Sequence, residues 1–176
     1  MKRLLLAFTL LLLFAFAGTS SALAQNGKAQ PTIPVTAPDG WENVTDPNEI
    51  SDTRVYIFTH PDSENRIEVF KRPLVNTAHA ATLFTAFHNQ LVESKFQLVN
   101  VVKDSSHDLK NGKKLVGTLY EYEYSYEDIG ISIVAFAFVL GQQAYIIVGY
   151  LTPIAKTDGR EDFLNLIRSL DISPDD

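Results

Sequence analysis

Apolar and polar residues alternate in two short stretches that predict a pair of β-strands. Residues 54–59 (RVYIFT) and 66–71 (RIEVFK) are rich in β-branched and aromatic residues, and the stretch between them, PDSEN, holds turn-forming residues. The next apolar residues recur at helical spacing, and Asn76 or Thr77 can cap the first turn. The pattern therefore predicts a β-hairpin followed by a helix over residues 77–95.

The second half of the chain predicts four more strands and a closing helix. The strands cover residues 96–102, 114–126, 131–140 and 142–151. Asn111-Gly112 predicts a type I′ hairpin turn, and Gly141-Gln142 predicts another tight turn. Asp158 with Glu161 forms a capping box before an apolar helical stripe, which predicts a helix that begins at Asp158.

Two of these strands determine the predicted architecture. Residues 131–140 (ISIVAFAFVL) and 144–151 (AYIIVGYL) are apolar at both odd and even positions, as expected of central strands that are covered on both faces. Two helices are present to cover them. The sequence therefore predicts an α+β fold, with a mostly antiparallel sheet and helices on both faces.

Four tyrosines occupy every second position of strand 114–126 and must point to one face: Tyr120, Tyr122, Tyr124 and Tyr126. If exposed, this row could stack sugar rings or an extended ligand. If Asp128 and Ile129 form a two-residue loop, the tyrosines lie opposite Ile133, Ala135 and Ala137, and the hairpin at Asn111-Gly112 brings Val99 and Val101 to the same face. This apolar surrounding favours burial under a helix.

The opposite face of the same strand carries Glu121 and Glu123. Carboxylates beside aromatic residues can act as a paired general acid and base, so both are candidate catalytic residues. The competing interpretation is a solvated strand whose glutamates serve solubility. The chain holds no recognisable catalytic, phosphate-binding or metal-binding motif, and His60 and His107 fall in predicted loops, so we expect no cofactor and no metal site.

The N-terminal residues have the pattern of an export signal. Lys2 and Arg3 precede a 14-residue apolar run over residues 4–17, and Ala22-Leu23-Ala24 is a small-residue cleavage site. The run is too short to span a bilayer, which needs about 20 residues. We therefore expect a signal peptide at 1–24, a flexible Pro-rich linker at 25–38, a single domain at 39–172 and a tail at 173–176.

Composition narrows the classes of partner. The chain has no cysteine, which removes disulfides, thiolate catalysis and lipid attachment to a cysteine. Its net charge is −6 and becomes more negative when Lys2 and Arg3 leave with the signal peptide, which disfavours nucleic acid and anionic lipid. We expect a periplasmic or secreted protein, with no stable membrane insertion after signal cleavage.

The order of elements and several short patterns resemble the PsbP-like superfamily, which includes PsbP and DcrB-like exported bacterial proteins. The resemblance rests on an opening Pro38-Asp39-Gly40-Trp41, a meander that ends in residues 141–147 (GQQAYII), and a closing Phe163-x-x-x-Ile167-x-Ser169-Leu170 helix. It implies a helix-sheet-helix sandwich that acts as an accessory or binding module and not as an enzyme. The resemblance carries no catalytic residues.

Two functional hypotheses follow. The first is a non-enzymatic, exported accessory module of the cell envelope that binds another envelope protein or a small ligand, with Trp41 as a candidate contact residue unless it is only a lid over the core. The alternative is a small hydrolase of an envelope polymer that uses Glu121 and Glu123. An exposed pocket containing both glutamates would favour the hydrolase.

Overall fold

The structure, a computed structural model, describes residues 33–45, 54–126, 129–152 and 156–172. The elements in chain order are β1 (Glu42–Asn43), β2 (Arg54–Thr59), β3 (Arg66–Pro73), α1 (Thr77–Glu93), β4 (Gln97–Asp108), β5 (Lys114–Tyr126), β6 (Ile129–Leu140), β7 (Gln143–Leu151) and α2 (Lys156–Arg168). The predicted signal peptide at 1–24 and the predicted tail at 173–176 lie outside the described residues. In the described residues, no helix is both long and apolar enough to cross a membrane.

The strands of the described part of the chain form one seven-stranded antiparallel sheet, which confirms the predicted α+β class. The order across the sheet is β1-β2-β3-β7-β6-β5-β4. The two strands predicted to be central, β6 and β7, are neighbours inside the sheet, whereas β1 and β4 form its edges. Strands β4 to β7 form a meander, because each lies beside the next strand in the sequence and antiparallel neighbours can be joined by short turns. Strand β3 pairs with the last strand of the meander, β7.

Side chains alternate between two faces of the sheet and form two separate apolar clusters. On the face that carries Tyr122, here called the Tyr122 face, Ile133, Ala135 and Val148 pack with Phe87 and Leu91 of α1. The Glu121 face carries the other cluster, whose members include Val134, Phe136 and Ile147 of the sheet and Phe163, Leu166 and Ile167 of α2. The doubly apolar sequences of β6 and β7 supply both clusters.

Helix α1 begins where its cap predicts and ends slightly early. Asn76 adopts an extended backbone, and its side chain accepts a hydrogen bond from the backbone N–H of His79. The helix ends at Glu93 instead of the predicted residue 95, because Lys95 takes a left-handed φ of 71° that starts the turn into β4. The start of α2 differs too: the helix begins at Lys156, so Asp158 lies in its first turn and is not the cap.

The pairing of β5 with β6 differs from the predicted register by two residues. Tyr126 pairs with Ile129, so the loop holds residues 127–128 instead of Asp128 and Ile129. Tyr122 consequently lies opposite Ile133, and Tyr120 opposite Ala135. Moving the loop by one residue moves every partner by two, and a shift of two keeps each side chain on its predicted face. The β6–β7 pairing is as predicted, with Ala137 opposite Ile146.

Strand β4 has 12 residues instead of the predicted seven, and it is less regular. It continues to Asp108, so His107 lies in a strand and not in a loop. The hairpin with β5 is confirmed, but its connection runs from Leu109 to Lys113, and Gly112 has positive φ whereas Asn111 does not. A type I′ turn would need positive φ at both residues, so that predicted turn type is wrong.

Residues 33–38 of the predicted linker pack against the domain. Ile33 is only 4% exposed and belongs to the cluster on the Glu121 face. The backbone carbonyl of Pro34 accepts a hydrogen bond from the N–H of Asp171, and the carbonyl of Thr36 accepts one from the hydroxyl of Ser169. The described part of the predicted linker therefore contributes to the core.

Candidate functional site

A cavity of about 170 Å³ opens on the Glu121 face, between β5, β6 and the first turns of α2. Its polar lining comes from Glu121, Glu123, Ser132 and Arg160. Apolar side chains, among them Val99, Val134 and Leu151, complete the walls. The structure therefore brings the two candidate glutamates together in one pocket, as the hydrolase hypothesis requires. The volume is below the roughly 300–1,000 Å³ that is common for sites of drug-sized ligands.

Arg160 determines what Glu121 can do in this cavity. The Nε atom of Arg160 donates to Glu121 Oε1 at 2.9 Å, and the Nη2 atom of Arg160 lies 2.8 Å from the same oxygen. The other carboxylate oxygen of Glu121 accepts from the side-chain amide of Asn100 at 3.1 Å. Because both oxygens already accept hydrogen bonds, Glu121 is poorly placed to take a proton from a substrate. It instead joins helix α2 to strand β5.

The close approach of α2 to the sheet depends on Gly159, the residue before Arg160. A Cβ atom at this position would lie 2.5 Å from Asn65 Nδ2 and 2.8 Å from Leu151 Cδ2. Asn65 cannot move away easily, because it is buried and its Oδ1 accepts hydrogen bonds from the backbone N–H and the hydroxyl of Thr152. Only a glycine allows the first turn of α2 to sit here and to present Arg160 to Glu121.

The tyrosine row lies on the Tyr122 face, away from this cavity. Tyr122 is fully buried, which confirms the predicted burial for this ring, whereas Tyr120 and Tyr124 are only partly buried. The hydroxyl of Tyr122 lies 3.1 Å from Nδ1 of His88 on α1, and burial raises the pKa of Tyr122. The side chain of Tyr126 lies outside the described residues. Tyr122, in the middle of the row, is therefore not exposed for stacking against a ligand.

Four exposed apolar residues make β4 unlike the other strands. Leu98 is 40% exposed, Val99 53%, Val101 37% and Val102 41%. Leu98 pairs with Tyr122 and Val101 with Tyr120, so both lie on the Tyr122 face. Val102 pairs with Leu119 and lies on the Glu121 face. We call these four residues the β4 apolar edge.

Val99 also belongs to the Glu121 face, contrary to the predicted arrangement with Val101. The ladder between β4 and β5 shifts at Leu98/Asn100, which is a β-bulge. The extra residue reverses the alternation, and Val99 lines the cavity together with Glu121. The β4 apolar edge therefore has side chains on both faces of the sheet and borders the cavity.

Trp41 is a core residue in this structure. Only 6% of it is exposed, and its indole N–H donates to a carboxylate oxygen of Asp162 at 2.9 Å. The ring packs edge-on against His60, with centroids 5.6 Å apart. Trp41 thus ties the opening segment to helix α2, and it leaves little ring surface for a partner.

A buried charge cluster on the Tyr122 face had not been predicted. Glu68 is fully buried, accepts from Nε of Arg66 at 2.6 Å and lies 3.7 Å from a guanidinium nitrogen of Arg54. Burial raises the pKa of Glu68, and the two guanidiniums oppose that rise. The hydroxyl of the neighbouring Tyr150 is buried, without a hydrogen-bond partner among the described residues. In the sequence, Glu68 is one carboxylate in a strand of alternating pattern, and this pattern does not predict that it is buried.

The histidines do not gather with carboxylates. Among the described residues, no group of three or more His, Cys, Asp or Glu side chains could hold a metal ion. His107, predicted to be a solvated loop residue, instead packs edge-on against Phe136 with centroids 4.9 Å apart. Burial, with a contribution from Arg168, lowers the pKa of His107.

Comparison with solved structures identifies the fold. Cyanobacterial PsbP (CyanoP) from Synechocystis sp. PCC 6803 superposes with a TM-score of 0.55 and 12% sequence identity, over 89% of this chain and 100% of that chain. The chain has the PsbP-like fold. At this level of identity the likeness concerns the fold alone. No protein-family model and no curated protein sequence match the chain.

Two further solved structures share this PsbP-like fold. LpqN, which is involved in cell envelope biogenesis of Mycobacterium tuberculosis, gives a TM-score of 0.58 and 14% identity, with 85% of this chain and 88% of that chain covered. PA94, a Pseudomonas aeruginosa protein of unknown function, gives a TM-score of 0.52 and 14% identity, with 82% and 99% covered. The PsbP-like fold predicted from the order of elements is therefore confirmed.

Proposed function

We propose that this protein is an exported, non-enzymatic accessory module of the cell envelope that docks on another envelope protein. The observation that carries the proposal is the β4 apolar edge, where four neighbouring apolar side chains are 37–53% exposed. Elsewhere in the described strands, exposed large apolar residues occur one to a strand, as Val116 of β5 and Val139 of β6. Contiguous exposed apolar residues mark interaction sites. The likeness of the fold to LpqN, an envelope biogenesis protein, supports the compartment.

The finer layout belongs to the same proposal. It comprises a signal peptide at 1–24, a single domain that reaches residue 172, and a helix-sheet-helix sandwich in which α1 and α2 cover opposite faces. The two apolar clusters support the sandwich, since each contains side chains of one helix. The cleavage pattern of the N-terminal residues supports a periplasmic or secreted destination without a lipid anchor.

Site-specific photo-crosslinking in cells tests the docking surface. A photoreactive residue replaces Val102 of the β4 apolar edge in one variant, and in a control variant it replaces Val75, which is 75% exposed but lies before α1. We expect a defined crosslinked product from position 102 and none from position 75. Equal labelling from both positions, or none from position 102 at native expression, would contradict docking through β4.

A second function is kept because one observation favours it: the cavity contains both Glu121 and Glu123. A small hydrolase acting on an envelope polymer would need both carboxylates in one cavity, although Arg160 and Asn100 already bond to Glu121. Release of soluble fragments from purified envelope polymer would reveal that activity, and the Glu121→Gln, Glu123→Gln double variant is the control. Activity that is lost in the double variant would establish the hydrolase and remove the non-enzymatic proposal.

A further inference from the structure

We propose that Ser105 is a nucleophilic serine, activated by His107, that accepts an acyl group from activated esters. Both residues belong to β4 but lie beyond the β4 apolar edge, and neither lines the cavity beside Glu121. The proposal is independent of docking through β4. It makes Ser105 a modification site on the proposed accessory module.

The side chains of Ser105 and His107 are in hydrogen-bond contact. Ser105 Oγ lies 3.0 Å from His107 Nε2, and both residues are half-buried. A serine hydroxyl is a weak nucleophile until a base within hydrogen-bond reach can take its proton, and a contact of this length meets that condition. The pair therefore supplies a nucleophile together with its base.

A β-bulge places both side chains on the Glu121 face. The ladder between β4 and β5 shifts between Val102 and Ser105, and Asp104 adopts a left-handed φ of 52° within the shift. Ser105 consequently pairs with Gly117, whereas unbroken pairing from Val102 onward would turn Ser105 to the other face. Bulges often re-aim a side chain next to an active site, and this one brings a serine to the side of a histidine.

The ring of Phe136 supports the histidine. It packs edge-on against His107 with centroids 4.9 Å apart, and it is fully buried. The ring can lie here because Gly117 has no side chain: a Cβ atom at this position would lie 2.7 Å from Phe136 Cζ. A base must be held in one orientation to act on its nucleophile, and the contact with Phe136 provides that support.

The protonation state of His107 suits a base. Burial, with a contribution from the positive charge of Arg168, lowers the pKa of His107. The ring is therefore neutral at neutral pH, and in the tautomer with the proton on Nδ1 its Nε2 atom accepts from the Ser105 hydroxyl. An unprotonated nitrogen is what proton removal from serine requires.

The proposed step is a transfer of one acyl group. Ser105 Oγ forms a bond to the acyl carbon, and the hydroxyl proton passes to His107 Nε2. The bond between the acyl carbon and the leaving alkoxide or phenolate breaks, and the leaving group takes the proton from Nε2. The products are acylated Ser105 and an alcohol or phenol. Because the pair supplies only a nucleophile and a base, it suits esters with a good leaving group.

Ser106 provides a control within the same molecule. It follows Ser105 directly, is exposed, and pairs with Val116, so its side chain points to the Tyr122 face. The full purified chain is incubated with a fluorophosphonate, which forms a stable adduct with activated serines, and the labelled peptides are identified by mass spectrometry. We expect Ser105 to react at least about tenfold faster than Ser106, although it is less exposed. Equal or slower labelling of Ser105 would overturn the proposal.

Removing the base tests the role of His107. His107→Gln should slow the labelling of Ser105 by roughly 100-fold, the lower end of what a positioned base contributes, and leave that of Ser106 unchanged. Circular dichroism checks that the variant is folded. A Ser105 that reacts as fast in the folded variant as in the wild type would show that His107 is not its base. Where the variant does not fold, the comparison with Ser106 in the wild type still decides.

Acyl transfer itself is measured with p-nitrophenyl acetate. We expect the wild type to release p-nitrophenolate faster than Ser105→Ala does and to gain an acetyl group on Ser105. Equal release from both proteins, with no acetyl group on Ser105, would overturn the assignment as an acyl acceptor even if the fluorophosphonate labels this serine. Photo-crosslinking at position 102 tests docking separately, so either proposal can fail without the other.

Discussion

The contact between α2 and the sheet can be tested by changing Gly149 and Phe163 together. Phe163 is fully buried on the Glu121 face, and a Cβ atom added at Gly149 of β7 would lie 2.9 Å from its Cδ2 atom. Ordinary contacts of a Cβ atom begin near 3.4 Å, so the ring or the helix must move by about half an ångström in Gly149→Ala. This movement would also displace Arg160, which is on the same helix.

The expected magnitudes follow from this geometry. Overpacking a close-packed core costs about 1–3 kcal/mol, and alanine regains about 0.5–1 kcal/mol over glycine inside a strand. Gly149→Ala should therefore lower the free energy of unfolding by about 0–2.5 kcal/mol. Phe163→Leu removes ring atoms and should cost about 1–2 kcal/mol alone. In the double variant the smaller side chain makes room for the new methyl group, so the two costs should not add.

Urea unfolding of the wild type, both single variants and the double variant measures this coupling. We expect the double variant to be more stable than the sum of the single effects predicts, by about 0.5–2 kcal/mol. At roughly 2–4 °C per kcal/mol, the thermal midpoints should show the same order. Additive effects would refute the reasoning, because they would mean that residues 149 and 163 do not touch.

Four further outcomes are expected. Tyr122→Phe should lower the free energy of unfolding, measured with urea, by about 0.5–1.5 kcal/mol, because it removes the hydroxyl that contacts His88. Glu121→Gln should cost only about 0.2–1 kcal/mol in the same assay, since the side chain of its partner Arg160 is 42% exposed. Val102→Asp should change the free energy of unfolding by no more than about 0.5 kcal/mol in the same assay, because Val102 is exposed. The pKa of His107 is lowered in the folded protein, so protonation of this histidine favours unfolding. Its contribution to the free energy of unfolding should be fully present above the ordinary histidine pKa near 6.5 and fall below it. Between pH 8 and pH 5.5, His107→Gln should therefore lose less of its free energy of unfolding than the wild type does.

The parts of the fold that local pattern controls could be predicted. The doubly apolar sequences of β6 and β7 placed them inside the sheet, and the Gly141-Gln142 turn gave their register correctly. Asn76 caps α1 because a short polar side chain before an apolar helical stripe has few other roles. Each of these features depends on residues close together in sequence.

The parts of the fold that depend on an inserted residue, or on contacts between residues distant in sequence, could not be predicted. The bulge at Leu98/Asn100 leaves no compositional trace, yet it moves Val99 to the face of the cavity. Arg160 meets Glu121 across 39 residues of sequence, and only the final helix-sheet packing brings them together. Gly159 is a local signal, because a glycine inside a helical stretch can have a packing reason, and here the side chains of Asn65 and Leu151 lie against it.

Strand β4 shows why predicting a strand from its local sequence does not predict its neighbours in the sheet. Its residues predict a strand, and a strand is what they form. Whether that strand lies inside the sheet or at its edge depends on which partners fold beside it, and the chain supplies a described neighbour on one side only. A sequence that suits an interior strand, found at an edge of the described sheet, is the observation behind the proposed docking. If the proposed docking holds, a variant with polar residues at 98, 99, 101 and 102 should fold as well as the wild type and give no crosslinked product in cells. Unfolding of that variant would instead make the β4 apolar edge part of the core.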